Sequence, residues 1–120
     1  MKRPGPDHPI TVEPEPRRVR VVVAGVAVAE TRNARRLQEA RYPPVFYVPR
    51  SDIRAEHFVA STRTSHCPYK GDAHYYDLVV DGTRRSDAVW SYGNPYPAVA
   101  AIRDHVAFYP DRVDAIVLED

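Results

Sequence analysis

The sequence is poor in several residue types, and each scarcity narrows what the chain can be. It has one cysteine, Cys67, in 120 residues. An internal disulfide framework and a multi-cysteine zinc site of the kind that organises small β domains are therefore excluded. No apolar run approaches the roughly 20 residues needed to span a bilayer. The start, Met1-Lys2-Arg3-Pro4, continues into Gly5, Pro6, Asp7 and Pro9 rather than an apolar stretch, so no signal peptide is expected. Neither sign of charge prevails: 17 basic groups face 16 acidic ones. Such a balance gives no electrostatic reason to expect nucleic acid or an anionic membrane as a partner. A cytoplasmic protein with a reduced thiol is the expectation. Lysine is also scarce, with only Lys2 and Lys70 among arginines scattered along the whole chain.

Proline is abundant, and its distribution divides the chain. Pro4, Pro6, Pro9, Pro14 and Pro16 interrupt any helix or ladder before Arg17. Residues 1–17 read as a flexible or loosely docked extended segment, which Ile10 and Val12 could pin to the domain surface. Residues 18–120 read as a single domain of mostly β structure. Val19 to Val23 and Val26 to Glu30 form a hairpin about Ala24-Gly25, and Ala73 to Val80 with Arg84 to Tyr92 form another about Asp81-Gly82. Leu37 to Tyr42 and Val45 to Val48 flank the corner Pro43-Pro44. Pro49 to Asp52 resembles a single helical turn capped by Asp52. Strands follow at His57 to Ser61 and near Thr64. Pro95-Tyr96-Pro97 opens a run with Val99, Ile102 and Val106 on one face, which predicts one short helix over residues 97–103. Val106 to Tyr109 and Val113 to Leu118 close the chain as strands.

Reactive side chains crowd into Ser65-His66-Cys67-Pro68-Tyr69-Lys70-Gly71-Asp72-Ala73-His74-Tyr75-Tyr76. A thiol becomes nucleophilic when nearby positive charge favours the thiolate, and Lys70 follows Cys67 by three positions. The plainer reading makes Cys67 a small buried hydrophobe, structural or assisting. Lys70 can form a Schiff base or hold a carboxylate as a point charge, unless it is simply an exposed lysine before a turn glycine. Glu39 falls mid-strand, where an acid must face water or a partner. Paired with Lys70 it would make an acid–base or anchoring couple. The histidines His57, His66, His74 and His105 match no zinc spacing with Cys67, so no metal is expected. No phosphate loop and no Gly-x-Ser-x-Gly elbow is present, and no cofactor is expected. The tyrosines number eight. In a strand, Trp90 and Tyr92 share a face, and hydroxyls of this kind line small-ligand pockets as well as cores.

Several elements recur in one order: Leu37-Gln38-Glu39, Pro44 to Asp52, Thr64 to Gly71, Ala73 to Tyr76, Ala88 to Tyr92, and Val106 to Tyr109. On these the chain resembles the domain-of-unknown-function family 427, over about residues 19–118. The resemblance implies a compact β-tent, two antiparallel sheets meeting at an angle with a short helix alongside. It carries Glu39, Tyr47, Asp52, Cys67, Lys70, Gly71, Tyr75, Trp90, Tyr92 and Tyr109 as recurrent positions. The family also bears a nucleotidyltransferase label, which calls for a paired-aspartate metal site after a Gly-Ser turn. This sequence lacks one.

The first functional expectation is a small-molecule pocket between the two sheets, with Cys67 to Gly71 as one wall and Trp90 with Tyr92 as the other. Lys70 anchors or activates a carbonyl- or carboxylate-bearing ligand, Glu39 serves as base or holds Lys70, and Tyr47 and Tyr75 hydrogen-bond the ligand. Asp52, Gly71 and Tyr109 complete the set. The alternatives are an accessory or protein-interaction module in which the same residues stabilise the fold, and a nucleotidyltransferase. Exposed strand edges leave room for a homodimer.

Overall fold

The computed structural model describes residues 1–120. Ten strands form two antiparallel sheets, as the sequence leads one to expect. Strand β2 (Arg18–Val23) alternates strictly: Val19, Val21 and Val23 are buried while Arg18, Arg20 and Val22 are half-exposed. It turns through Ala24 and Gly25, both at positive φ, into β3 (Val26–Thr31). Two consecutive positive φ values match the twist of the flanking strands. Strand β10 (Ala115–Glu119) pairs with the other edge of β2, giving the order β10-β2-β3.

The larger sheet has seven strands in the order β1-β4-β5-β9-β8-β7-β6. Its members are β1 (Ile10–Glu15), β4 (Ala34–Glu39), β5 (Val45–Pro49), β6 (Phe58–Cys67), β7 (Gly71–Val80), β8 (Thr83–Tyr92) and β9 (His105–Phe108). Alternation along its central strands divides the side chains between two cores. In β5, Val45 and Tyr47 face one side while Phe46 and Val48 face the other. The same holds for Trp90 against Val89 and for Ala107 against Phe108. The first core fills the space between the sheets, where Val19, Val21, Val23 and Val28 meet Val48, Leu78, Val89, Val106 and Phe108. The second lies on the opposite face of the larger sheet and gathers Leu37, Tyr47, Ala73, Tyr75, Tyr92, Val99, Ile102 and Ala107.

Four sequence expectations are corrected. Ile10–Glu15, expected within a loosely docked extension, pair with β4 along its whole length, from Ile10 opposite Glu39 to Glu15 opposite Ala34. Pro14 is tolerated there because β1 is an edge strand. The expected strand from Leu37 to Tyr42 is instead Ala34–Glu39; Ala40 takes φ 47° and ends it. The Gln38 amide then closes the turn on the carbonyl of Tyr42 at 2.6 Å. Third, His57 to Thr64 is not two strands but one, β6, with a register shift between Ala60 and Thr64. Finally, the predicted helix over residues 97–103 is a pair of 3-10 turns spanning Pro97–Ile102 and broken at Val99 (φ −122°). Its β-branched and proline-flanked sequence has too little helical length to propagate. No helix is long and apolar enough to cross a membrane.

Candidate functional site

The turn Cys67-Pro68-Tyr69-Lys70-Gly71 joins β6 to β7, closed by Lys70 N–H on the Cys67 carbonyl at 3.2 Å. Gly71 sits at φ 114°, and a Cβ there would stand 3.4 Å from the Asn94 carbonyl oxygen. Glycine therefore lets the segment Asn94–Tyr96 lie against the turn, where Tyr96 N–H reaches the Lys70 carbonyl at 2.9 Å. Held in this way, Lys70 folds its side chain inward and is only 9% exposed.

Its ammonium meets the Oε1 of Glu39, the last residue of β4. The Cys67 Sγ lies 3.9 Å away on the other side. The second Glu39 oxygen is 2.8 Å from His8 Nε2, and the His8 ring stacks on Tyr69 at 4.2 Å between centroids. Residues 1–9 thus close back onto the reactive turn. Two backbone bonds add to this, from Lys2 N–H to the Pro68 carbonyl (2.7 Å) and from Ala40 N–H to the Pro9 carbonyl (2.8 Å). Burial pushes the Glu39 carboxyl up, but the hydrogen bonds and charges of Lys70 and His8 outweigh it and leave its pKa below the ordinary carboxylate value.

Beside this couple opens a cavity of about 280 Å³ lined mostly by apolar side chains. Glu39 and Lys70 are its only charged lining residues. Tyr47, Tyr75, Trp90, Tyr92 and Tyr109 supply the aromatic wall, and Leu37, Tyr42, Pro43 and Val45 complete it. The indole N–H of Trp90 donates to the Tyr47 hydroxyl at 3.2 Å, leaving the Tyr47 proton free to donate in turn. The hydroxyl of Tyr75 is shared with Ser65 Oγ at 2.8 Å and receives that of Tyr109 at 3.5 Å. That of Tyr92 makes no hydrogen bond within the protein although it lines the cavity. Burial raises the pKa of Tyr47 and Tyr92 and pushes Tyr109 up to about 12. At neutral pH these phenols are therefore uncharged donors.

Seven sequence-derived site residues come together at the cavity: Glu39, Tyr47, Lys70, Tyr75, Trp90, Tyr92 and Tyr109. The cavity is not between the two sheets, which the first core fills, but on the opposite face of the larger sheet. Cys67 stands behind Lys70, half-buried against the second core, and does not line the cavity. Gly71 shapes the turn. Asp52 is elsewhere: it accepts the Thr31 hydroxyl at 2.6 Å, ties its 3-10 turn to β3, and makes no cap hydrogen bond. His8, Tyr42 and Pro43 were not anticipated. The signal for His8 is the alternation Ile10-Thr11-Val12-Glu13, which marks a half-buried strand and so fixes the residues just before it.

The fold and the cavity define a small antiparallel β domain with a tyrosine-lined cleft and a lysine–glutamate couple at its floor. The chain belongs to the domain-of-unknown-function family DUF427, whose family model matches residues 11–119. The match begins inside β1, so the edge strand is part of the family's domain. No curated protein matches the chain.

Proposed function

We propose that the cavity is a small-molecule site in which Lys70 anchors a carbonyl or carboxylate oxygen of the ligand. The observation that carries this reading is a concave, largely apolar cavity with converging donors: the Lys70 ammonium and the free hydroxyl protons of Tyr47 and Tyr92. A lysine salt-bridged to a carboxylate is an ammonium, whereas Schiff-base formation needs the neutral amine. Anchoring is accordingly the role assigned to Lys70, and Glu39 orients it. Trp90 and Tyr109, whose rings lie 4.5 Å apart and tilted by 44° to one another, offer an angled aromatic surface to the ligand's apolar body.

The test is a thermal-shift screen of wild type beside Lys70→Ala. The panel comprises aromatic and aliphatic oxo acids, dicarboxylic acids, and neutral aldehydes and ketones. Compounds that raise the wild-type Tm and leave the variant unmoved are expected. If no compound does so, or if every stabilising compound acts equally on both proteins, the reading is wrong.

A further inference from the structure

Inside the cavity the charges of Lys70 and Glu39 offset one another. Two further cations stand on its aromatic wall. The Arg63 guanidinium lies 4.5 Å above the Tyr75 ring and that of Arg112 lies 4.9 Å above the Tyr109 ring. The two tyrosines are nearly parallel, 4° apart with centroids at 6.4 Å, and both line the cavity. Arg112 donates only to neutral partners, the carbonyls of Ser86 (3.4 Å) and Asp87 (2.9 Å). Arg63, exposed, makes no ion pair and no side-chain hydrogen bond. The Asp87 carboxylate takes the Ser61 hydroxyl at 2.5 Å and pairs with neither arginine.

The placement of Arg63 follows from the β6 irregularity. Ala60 pairs with Tyr76 and Thr64 with His74, so Ser61, Thr62 and Arg63 together oppose the single residue Tyr75. A bulge of this kind re-aims a side chain, and here it swings Arg63 over the ring that walls the cavity. Stacking pre-orders the planar guanidinium while its N–H fork stays free for a carboxylate. The positive charge is felt within the site, because both arginines pull the Tyr109 pKa down against the effect of burial.

Resting on the reading of the cavity as a ligand site, we infer that its ligand is an acid with two polar ends, and that Arg63 selects its charge. One oxygen acceptor sits at Lys70, the apolar body lies along Trp90, and a carboxylate emerges over Tyr75 to the Arg63 fork. Between Arg63 and Cys67, the residue behind Lys70, the strand advances roughly 13 Å, so the backbone positions that carry the two cations are well separated along the sheet. Oxo acids and dicarboxylic acids have this form, and neutral ketones lack the second pole.

Trp90 is the only tryptophan of the chain and lines the cavity, so its fluorescence reports occupancy directly. Each acid of the screen above is titrated at low salt beside the primary amide of its carboxyl group, on wild type and on Arg63→Gln. Arg63 is exposed on a bulge, and unchanged Tm of the variant verifies its fold. Acids are expected to bind about tenfold tighter than their amides, as befits a hydrogen bond to a charged partner. In Arg63→Gln this preference should shrink to about twofold or less while amide affinity stays the same. Acids and amides of equal affinity, or acids indifferent to Arg63→Gln, would overturn the inference and leave the ligand-site reading standing. Absence of any Lys70-dependent quenching overturns both.

Discussion

At the scale of single residues, the chain His8–Glu39–Lys70 joins three parts of the sequence through one carboxylate. Lys70→Ala leaves Glu39 facing an apolar cavity without its cation, which should cost about 1–3 kcal/mol. Replacing both partners in Lys70→Met/Glu39→Leu removes the orphaned charge, and urea denaturation should find the double variant more stable than Lys70→Ala. Strict additivity would mean that the two side chains do not interact. The phenols separate in the same way. Tyr47→Phe strips the acceptor from the Trp90 indole and should destabilise by about 1 kcal/mol. By contrast, Tyr92→Phe removes a hydroxyl with no partner in the protein and should stay within about 0.5 kcal/mol of wild type.

The pH response belongs to this scale as well. Glu15, Glu39 and Glu119 have folded pKa values below their ordinary 4.5, and Asp114 lies below its ordinary 3.8. Groups lowered on folding bind fewer protons in the folded state. Their contribution is complete above about pH 4.5 and is lost as pH falls through the folded values. The Tm should hold above about pH 5 and decline below it, and Glu39→Gln should decline less steeply because one of the four groups is gone.

At the scale of elements, the edge strand β1 and the turn at Gly71 decide whether the site exists. Deleting residues 1–9 removes His8 but leaves β1, and should lower the Tm less than deleting residues 1–16, which also uncovers the whole of β4. Gly71→Ala places a Cβ at φ 114° against the Asn94 carbonyl, and a loss of about 1–3 kcal/mol is expected by chemical denaturation. A neutral result would show that the close approach of Asn94–Tyr96 is not what glycine serves there. Much of this level was legible in the sequence. The two-residue hairpins at Ala24-Gly25 and Asp81-Gly82 follow from local turn chemistry, and the faces of Trp90 and Tyr92 follow from period-two alternation. Pro14 and Pro16 misdirect, because the rule against proline in ladders relaxes at an edge that nothing in the local sequence declares. The meeting of Glu39 with Lys70 was readable only as a pairing of types, since 31 residues separate them and no local rule spans that gap. The β6 bulge leaves no sequence mark beyond a run of small polar residues at Ser61-Thr62.

At the scale of the whole molecule, one seven-stranded sheet serves two cores with opposite duties. Its inner face seals Val19 and Val21 of the smaller sheet beneath Leu78, Val89 and Phe108, and its outer face carries the cavity. Leu78→Ala should therefore cost about 2–5 kcal/mol, read by urea denaturation, and leave the Trp90 fluorescence response to ligands unchanged. This division of labour makes the cavity separable from the fold's main support. The most direct test is two-dimensional NMR of isotope-labelled protein titrated with the compounds that stabilise wild type in the thermal screen. Saturable shifts are expected at Leu37, Val45, Lys70, Tyr92 and the Trp90 indole, with Val19 and Leu78 still. Shifts centred on the intersheet core or scattered over the surface, or none at all, would contradict a ligand site at the Lys70–Glu39 couple.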